Sequence, residues 1–308
     1  MQVINNLSAT ELDQPFGLTI GNFDGVHRGH RQVLEYVRKK CHEQNARLVV
    51  MSFNPHPQEI LNPGNYFLIN SMEEKRDLLA SCGVEFLCEI KFDRNFSTQS
   101  PQEFLENHIF CNKNLKSLFL GHDFTFGANK TGGHELAEKF CSKNNVNFEN
   151  LEKFEFEGER VSSSLIRECV QSGDVDKATE FLGRNYFVSG RIEKGDGRGR
   201  KIGFPTANVG FEKNRIIPKT GVYATETKIG KLNYYSVTNI GVKPTFLEDG
   251  GLTVESHILD FDRDIYGELV EVQFHKKLRD EKKFDSVNDL IKQIATDVET
   301  TRKFFEKA

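Results

Sequence analysis

Apolar positions along the chain follow two different patterns. Up to about residue 180, short apolar runs at 16–20, 48–53, 84–90 and 115–120 alternate with longer stretches in which apolar residues recur at helical spacing. The runs are continuous, as expected of strands covered on both faces. The helical stretches span 29–44, 71–81, 101–111 and 131–144, and Ser71 with Glu74 forms a capping box at the start of the second. This alternation predicts a parallel sheet. Ligands of such sheets bind beyond the carboxyl ends of the strands, so the loops that follow strands are where chemistry is expected.

Beyond residue 185 the pattern changes. Short runs at 186–192, 222–225, 234–240, 252–259 and 269–274 are separated by Gly and Asp turns with no helix between them. Consecutive strands of this kind predict a small antiparallel barrel. A final helix is expected from Ser286 to about Phe305, packed on the barrel through Val287, Leu290, Ile291, Ile294 and Val298. Two short helical stretches at 162–171 and 174–182 lead to a hinge near Gly183-Arg184-Asn185, which sets the expected modules at 1–184 and 185–308.

Bulk properties narrow the functional classes. A chain of 308 residues exceeds the size at which one core stops growing, in keeping with two modules, and 26 phenylalanines predict Phe-rich cores. No apolar run approaches the ~20 residues of a membrane span, and Met1 to Asn6 carries no basic segment leading into an apolar one, so a cytoplasmic protein is expected. The cysteines at 41, 82, 88, 111, 141 and 169 form no C-x-x-C pair, which argues against a zinc knuckle or a dithiol. A net charge of −4 gives no basic field for nucleic acid. Small anionic ligands remain open.

The segment after the first long strand, Gly21-Asn22-Phe23-Asp24-Gly25-Val26-His27-Arg28-Gly29-His30, is a glycine-rich turn that runs into a helix. Backbone N–H groups at a helix start attract anions, and His27 and His30, three apart, share one helical face. As bare composition the pair equally suits a surface pair or a helix cap. In this setting H-x-G-H resembles the nucleotidyltransferase signature. Phe53-Asn54-Pro55-His56-Pro57, Gly121 to Gly127, and Val161-Ser162-Ser163-Ser164-Leu165-Ile166-Arg167 extend the resemblance.

Together these segments resemble the N-terminal module of the prokaryotic bifunctional riboflavin kinase/FAD synthetase family, with Ser164 standing where that family more often has Thr. The resemblance implies a Rossmann-like domain that adenylylates FMN with ATP. It further implies catalytic roles for His27 and His30 and ATP contacts from Gly21, Asn22, Phe23, Asp24, Gly29, Ser162, Ser163, Ser164 and Arg167. Flavin contacts are implied for Phe53, His56, Asp123 and Phe126. Taken alone, His56 reads as a turn histidine and Asp123 as a turn former.

A second constellation lies at 194–208, where Gly195, Gly197, Arg198 and Gly203 lead into Phe204-Pro205-Thr206-Ala207-Asn208. Bare glycines with interspersed cations can wrap phosphates, although a solvated basic hairpin has the same composition. Gly-Phe-Pro-Thr-Ala-Asn resembles the riboflavin kinase signature, and the likeness continues through Gly221 to Ala224, Asn239 to Phe246, Val254 to Phe261 and Asp264 to Gly267. It implies a kinase barrel in which Thr206 and Asn208 hold Mg²⁺ and ATP phosphates. Glu255 would take the ribityl proton, with Arg279 and Phe284 on the flavin side. Outside that resemblance, Glu255 in an alternating strand reads as an outward salt-bridge residue.

The expected activity is phosphorylation of riboflavin to FMN followed by adenylylation of FMN to FAD, with ATP and flavins as the partners. Three other readings stay open: one live activity beside an inert module, a flavin-binding regulator without turnover, and a nucleic-acid-binding module using 191–201. The last lacks an interleaved aromatic platform.

Overall fold

The computed structural model describes residues 1–8, 12–64, 67–195, 197–242 and 251–307. Asp196 and the segment Lys243-Pro244-Thr245-Phe246, both part of the expected kinase motifs, lie outside the described residues.

The chain divides into two compact units, Met1–Ser162 and Ser163–Ala308. The sequence reading draws the boundary later, at 184/185. The helices Ser163–Ser172 and Val175–Leu182 fall in the second unit, because the latter packs on strands of the barrel.

In the first unit, strands β1 (Gln2–Ile4), β2 (Phe16–Ile20), β3 (Arg47–Asn54), β4 (Phe86–Lys91), β5 (Leu115–Gly121) and β6 (Asn147–Leu151) form a sheet in the order β1-β4-β3-β2-β5-β6, parallel throughout. Every residue of β2 is buried, and alternate residues of β3 serve two cores. Val49, Met51 and Phe53 face one side; Leu48 and Val50 join Leu34, Val37 and Leu79 from helices Arg28–Glu43 and Met72–Ser81 on the other. Strand order reverses between β2 and β5, so the loops leaving these two strands open at the switch point where such sheets bind ligands.

The expected strands and helices of this unit are present within a few residues. The stretch expected as one helix over 101–111 begins as Pro101–Phe104 and widens into a π-turn at Leu105–Ile109. The edge strands β1 and β6 escape the sequence pattern, the first through brevity and the second through its polar residues. A small hairpin, β7 (Glu155–Phe156) with β8 (Glu159–Arg160), completes the unit.

In the second unit, β9 (Tyr186–Glu193), β10 (Ala207–Val209), β11 (Gly221–Ile229), β12 (Leu232–Val242), β13 (Leu252–Ile258) and β14 (Leu269–Arg279) close into an antiparallel barrel ordered β10-β13-β12-β11-β14-β9. Its interior is partly polar: the hydroxyls of Thr225, Thr227, Ser236, Thr238 and Ser256, all fully buried, bond one another at 2.7–3.2 Å. A hydroxyl can donate and accept at once, so these five side chains can satisfy one another, and Thr225 and Ser236 also reach each other's backbone carbonyls.

The closing helix runs Val287–Phe305, with Ser286 as its cap. Its attachment differs in part from expectation. Val287 is 60% exposed and Leu290, Ile291, Ile294 and Val298 are only half-buried, whereas the buried positions are Asp297 and Thr301. Val298 packs as expected on Val222, Val237 and Leu259 of the barrel unit, and polar ties supply the rest: Asp297 accepts from Arg279 at the end of β14, and Arg302 pairs with Asp260 through two bonds of 2.8 Å. Phe305 stacks on Tyr235 of β12 at 4.2 Å. Among the described residues no helix is long and apolar enough to cross a membrane.

Candidate active sites

The loop after β2 holds the histidine pair. His27 caps the helix Arg28–Glu43: its Nδ1 accepts the His30 backbone N–H at 3.3 Å. An accepting Nδ1 leaves the Nε2 nitrogen to carry the proton and donate. The two imidazoles stack with centroids 3.6 Å apart at 17°, and Phe23 meets His30 edge-on at 5.1 Å. The capping role and the paired rings thus coexist, and of the alternatives drawn from composition the cap is present whereas a surface pair is not, since His27 is buried. Gly21 and Asn22 leave the strand half-buried, while Gly29 is buried against the His27 ring and Phe154.

Asp24 plays a structural part in this loop. It is 4% exposed, and its carboxylate accepts the backbone N–H groups of Ile69 (3.0 Å) and Asn70 (3.4 Å), which pins the loop to the segment before helix Met72–Ser81. Lys75 of that helix was not singled out from the sequence. It is 6% exposed and donates to Ser52 Oγ at 3.0 Å and to the Asn22 carbonyl at 3.4 Å. Its signal was available: a lysine four residues before the buried Leu79, within the apolar stripe of its helix.

The expected flavin residues of this unit separate into two groups. Phe53 and Phe126 are buried in a cluster with Phe92, Phe96 and Phe104, and His56 caps helix Pro57–Leu61, its Nδ1 accepting the Gln58 N–H at 3.1 Å. Asp123, by contrast, is exposed, pairs with Arg160, and lines a groove of about 460 Å³ with His122, Phe124, Thr125 and His134 after β5. His134 Nε2 lies 2.9 Å from the Gly121 carbonyl and so bears its proton there. Ser162 ends the first unit; Ser163 and Ser164 form the first turn of helix Ser163–Ser172, with Arg167 one turn on, all in the second.

In the second unit the loop after β9 folds back against β10. Gly197 (φ +65°) opens a single helical turn, Arg198–Lys201, and Gly203 (φ +89°) reverses the chain. A Cβ at Gly195 would stand 2.2 Å from Asn208 Nδ2, and one at Gly199 would stand 2.3 Å from the Phe204 carbonyl and 3.4 Å from Thr206 Oγ1. Only glycine lets the loop lie this close to the Asn208 amide and the Phe204 carbonyl. Asn208 lies within β10, and Thr206 immediately precedes that strand. Asn208 sits directly opposite Glu255 of β13, so two of the three residues expected to act together are cross-strand neighbours, with Thr206 two residues before Asn208. His257, also missed from the sequence, donates from Nδ1 to the Pro205 carbonyl at 2.7 Å and meets Phe204 edge-on at 5.4 Å.

Arg279 is engaged structurally. Its Nε and Nη2 donate to Asp297 at 2.8–3.1 Å and its Nη1 to the Asp280 carbonyl, while its guanidinium stands 5.8 Å from the centre of the Phe284 ring. Among the described residues no cluster of three His, Cys, Asp or Glu side chains could hold a metal by itself.

Comparison with known proteins separates the same two units. The FAD synthetase family model matches residues 9–165 and the riboflavin kinase model residues 182–305. A Bacillus subtilis bifunctional riboflavin kinase/FMN adenylyltransferase is 35% identical over 293 residues, covering 94% of this chain and 92% of its own. Proteins of the same description from Escherichia coli K12 and Haemophilus influenzae are 37% identical (94% and 92% covered) and 36% identical (99% of each). A crystal structure described as a macrolide-efflux protein from Streptococcus pneumoniae superimposes with a TM-score of 0.87 at 31% identity, covering 98% of this chain and 99% of that one.

Proposed function

Since the chain belongs to the bifunctional riboflavin kinase/FMN adenylyltransferase family, we propose that His27 and His30 carry its adenylyl transfer and that Thr206, Asn208 and Glu255 carry its phosphoryl transfer. The enzyme serves FMN and FAD biosynthesis: riboflavin and ATP give FMN and ADP, and FMN and a second ATP give FAD and pyrophosphate. The observation that carries the assignment is the pairing within each unit, stacked imidazoles at a helix start in one and the Asn208–Glu255 cross-strand pair beside a glycine-rich loop in the other.

In the adenylyl transfer the FMN phosphate attacks the α-phosphorus directly, so no covalent enzyme intermediate is needed. His27 donates from Nε2, and with His30 and the loop N–H groups it offsets charge on the departing pyrophosphate. Gly21, Asn22, Phe23 and Gly29 shape that loop; Ser162, Ser163, Ser164 and Arg167 offer hydroxyls and a cation suited to phosphate. The groove at Asp123 suits the flavin; Phe126 stacks on Phe124 of its lining, while Phe53 serves as core packing and His56 as a helix cap.

In the kinase, the Thr206 hydroxyl and Asn208 amide oxygen are hard donors of the type Mg²⁺ takes alongside phosphate oxygens and water. Bound there, Mg²⁺ would neutralise charge on the ATP phosphates. Gly195, Gly197, Arg198 and Gly203 supply the enclosing loop, and Glu255 accepts the ribityl proton when that hydroxyl comes within about 3 Å. Phe284 offers an aromatic face to the flavin, and Arg279 acts by holding the strand end rather than by direct charge, since Asp297 occupies its guanidinium.

The test is incubation with riboflavin, Mg²⁺ and ATP followed by chromatography of the flavins. His30→Ala is expected to accumulate FMN and make no FAD. Glu255→Gln is expected to leave riboflavin untouched yet convert supplied FMN to FAD. Equal loss of both steps in either variant refutes the division.

A further inference from the structure

The loop from Gly21 to His27 contains two side-chain-bearing residues in left-handed conformations, Phe23 (φ +49°) and Val26 (φ +37°). Neither a bulky aromatic nor a β-branched residue adopts that conformation without cost, and such strain persists only where neighbours over-determine it. Two buried groups do so. Asp24 fixes the middle of the loop to Ile69 and Asn70, and Lys75 fixes its start by donating to the Asn22 carbonyl, which also accepts from Ser52 Oγ at 3.3 Å.

Holding that carbonyl fixes more than one atom. The peptide between Asn22 and Phe23 is planar, so its C=O and N–H point in opposite directions. With the Asn22 oxygen drawn toward Lys75 and Ser52, the Phe23 N–H is turned away from them.

We propose that Lys75 is a positioning residue for adenylyl transfer: its ammonium, by holding the Asn22 carbonyl, aims the Phe23 N–H at the ATP phosphate that changes charge in the transition state. The inference rests on the reading of the Gly21–His30 loop as the ATP site. Lys75 touches no substrate. Burial holds its pKa below the ordinary lysine range, opposed by the carboxylates of Asp24, Glu89 and Glu59, while the Arg76 guanidinium adds to the lowering. A buried cation this costly to keep, whose bonds run to the start of the phosphate loop and to the strand beneath it, has its use in the shape of that loop.

The test compares Lys75→Met, which keeps the stem and removes the donor, with Lys75→Arg, which keeps a donor. Riboflavin kinase activity on the same chain serves as an internal control. An aimed N–H acts on the transition state more than on bound ATP, so Lys75→Met is expected to lower the kcat of FAD formation about 100-fold, as removal of one such donor does, with the ATP KM changed less than about threefold. Lys75→Arg is expected to recover about tenfold of that loss. FAD formation within threefold of wild type in Lys75→Met, or a loss that only follows the unfolded fraction seen in its thermal melt, overturns the inference. His30→Ala, run beside it, decides the reading on which it rests: FAD formation that survives in His30→Ala removes that reading and the inference with it, whereas survival in Lys75→Met alone removes only the inference.

Discussion

Asn208 and Glu255 are cross-strand partners: they face one another in the β10–β13 pair, with side chains on the same face of the barrel. On the proposed assignment both act on the same transferring group, so their removal should not be additive. Asn208→Ala and Glu255→Gln are each expected to lower riboflavin phosphorylation about 10²–10⁴-fold, and the double variant to fall little further. Single-turnover rates for the three variants measure the coupling.

The Asn208 amide lies against the Cα of Gly195, where an added methyl would stand at 2.2 Å. Gly195→Ala must push the amide or the loop aside. It is expected to cost about tenfold or more in kinase kcat, on the scale of a small misplacement of a reacting group, while adenylylation of supplied FMN stays unchanged. Steady-state rates of the two half-reactions check this.

The helix Val287–Phe305 depends on the pair between Arg279 and Asp297, whose side chains are 21% and 6% exposed. Asp297→Ala leaves a largely covered guanidinium without its anion, which should cost about 3 kcal/mol. The unfolding of the barrel in urea is the measurement. Val287→Ala, at a 60% exposed position, is expected to change stability by no more than about 0.5 kcal/mol.

His108, in the π-turn, packs against Phe96 and Phe104, and burial lowers its pKa. The folded state therefore favours the neutral ring, while the unfolded chain titrates near its ordinary value of about 6.5. The contribution is fully present above that pH and is lost as pH falls toward the lowered folded value. The melting midpoint of the first unit should fall between pH 7 and 5, and His108→Leu should flatten that slope.

Much of this architecture was legible because it rests on local pattern. Continuous apolar runs identified β2 to β5, and the capping box at Ser71 is present, with Glu74 returning a bond to the Ser71 N–H at 2.9 Å. The closing strand Ala207–Val209 was not legible, since three residues define no period. The grip on the last helix was legible only in part: the apolar spacing included Val298, which packs on the barrel, but not Asp297, which is held by a partner 18 residues away. At the sites, the position of the candidate loops just after strands was readable from the pattern, whereas the roles given to their side chains came from the family resemblance. The bonds of Lys75 and His257 were not legible, although the apolar stripe marked Lys75 for burial, because each acts on a backbone carbonyl brought near only by the fold.

The barrel is joined shut by a short seam. Strand β10 pairs with β9 through Asn208 and Val209 and with β13 through Ala207 and Asn208, so the residue assigned to metal and phosphate also completes the ring on both sides. A ring has no loose edge on which another chain could add a strand. Variants that dislodge this segment would therefore do two kinds of harm at once, silencing phosphorylation and baring two strand edges, and insolubility in such variants would have the same origin as their lost activity.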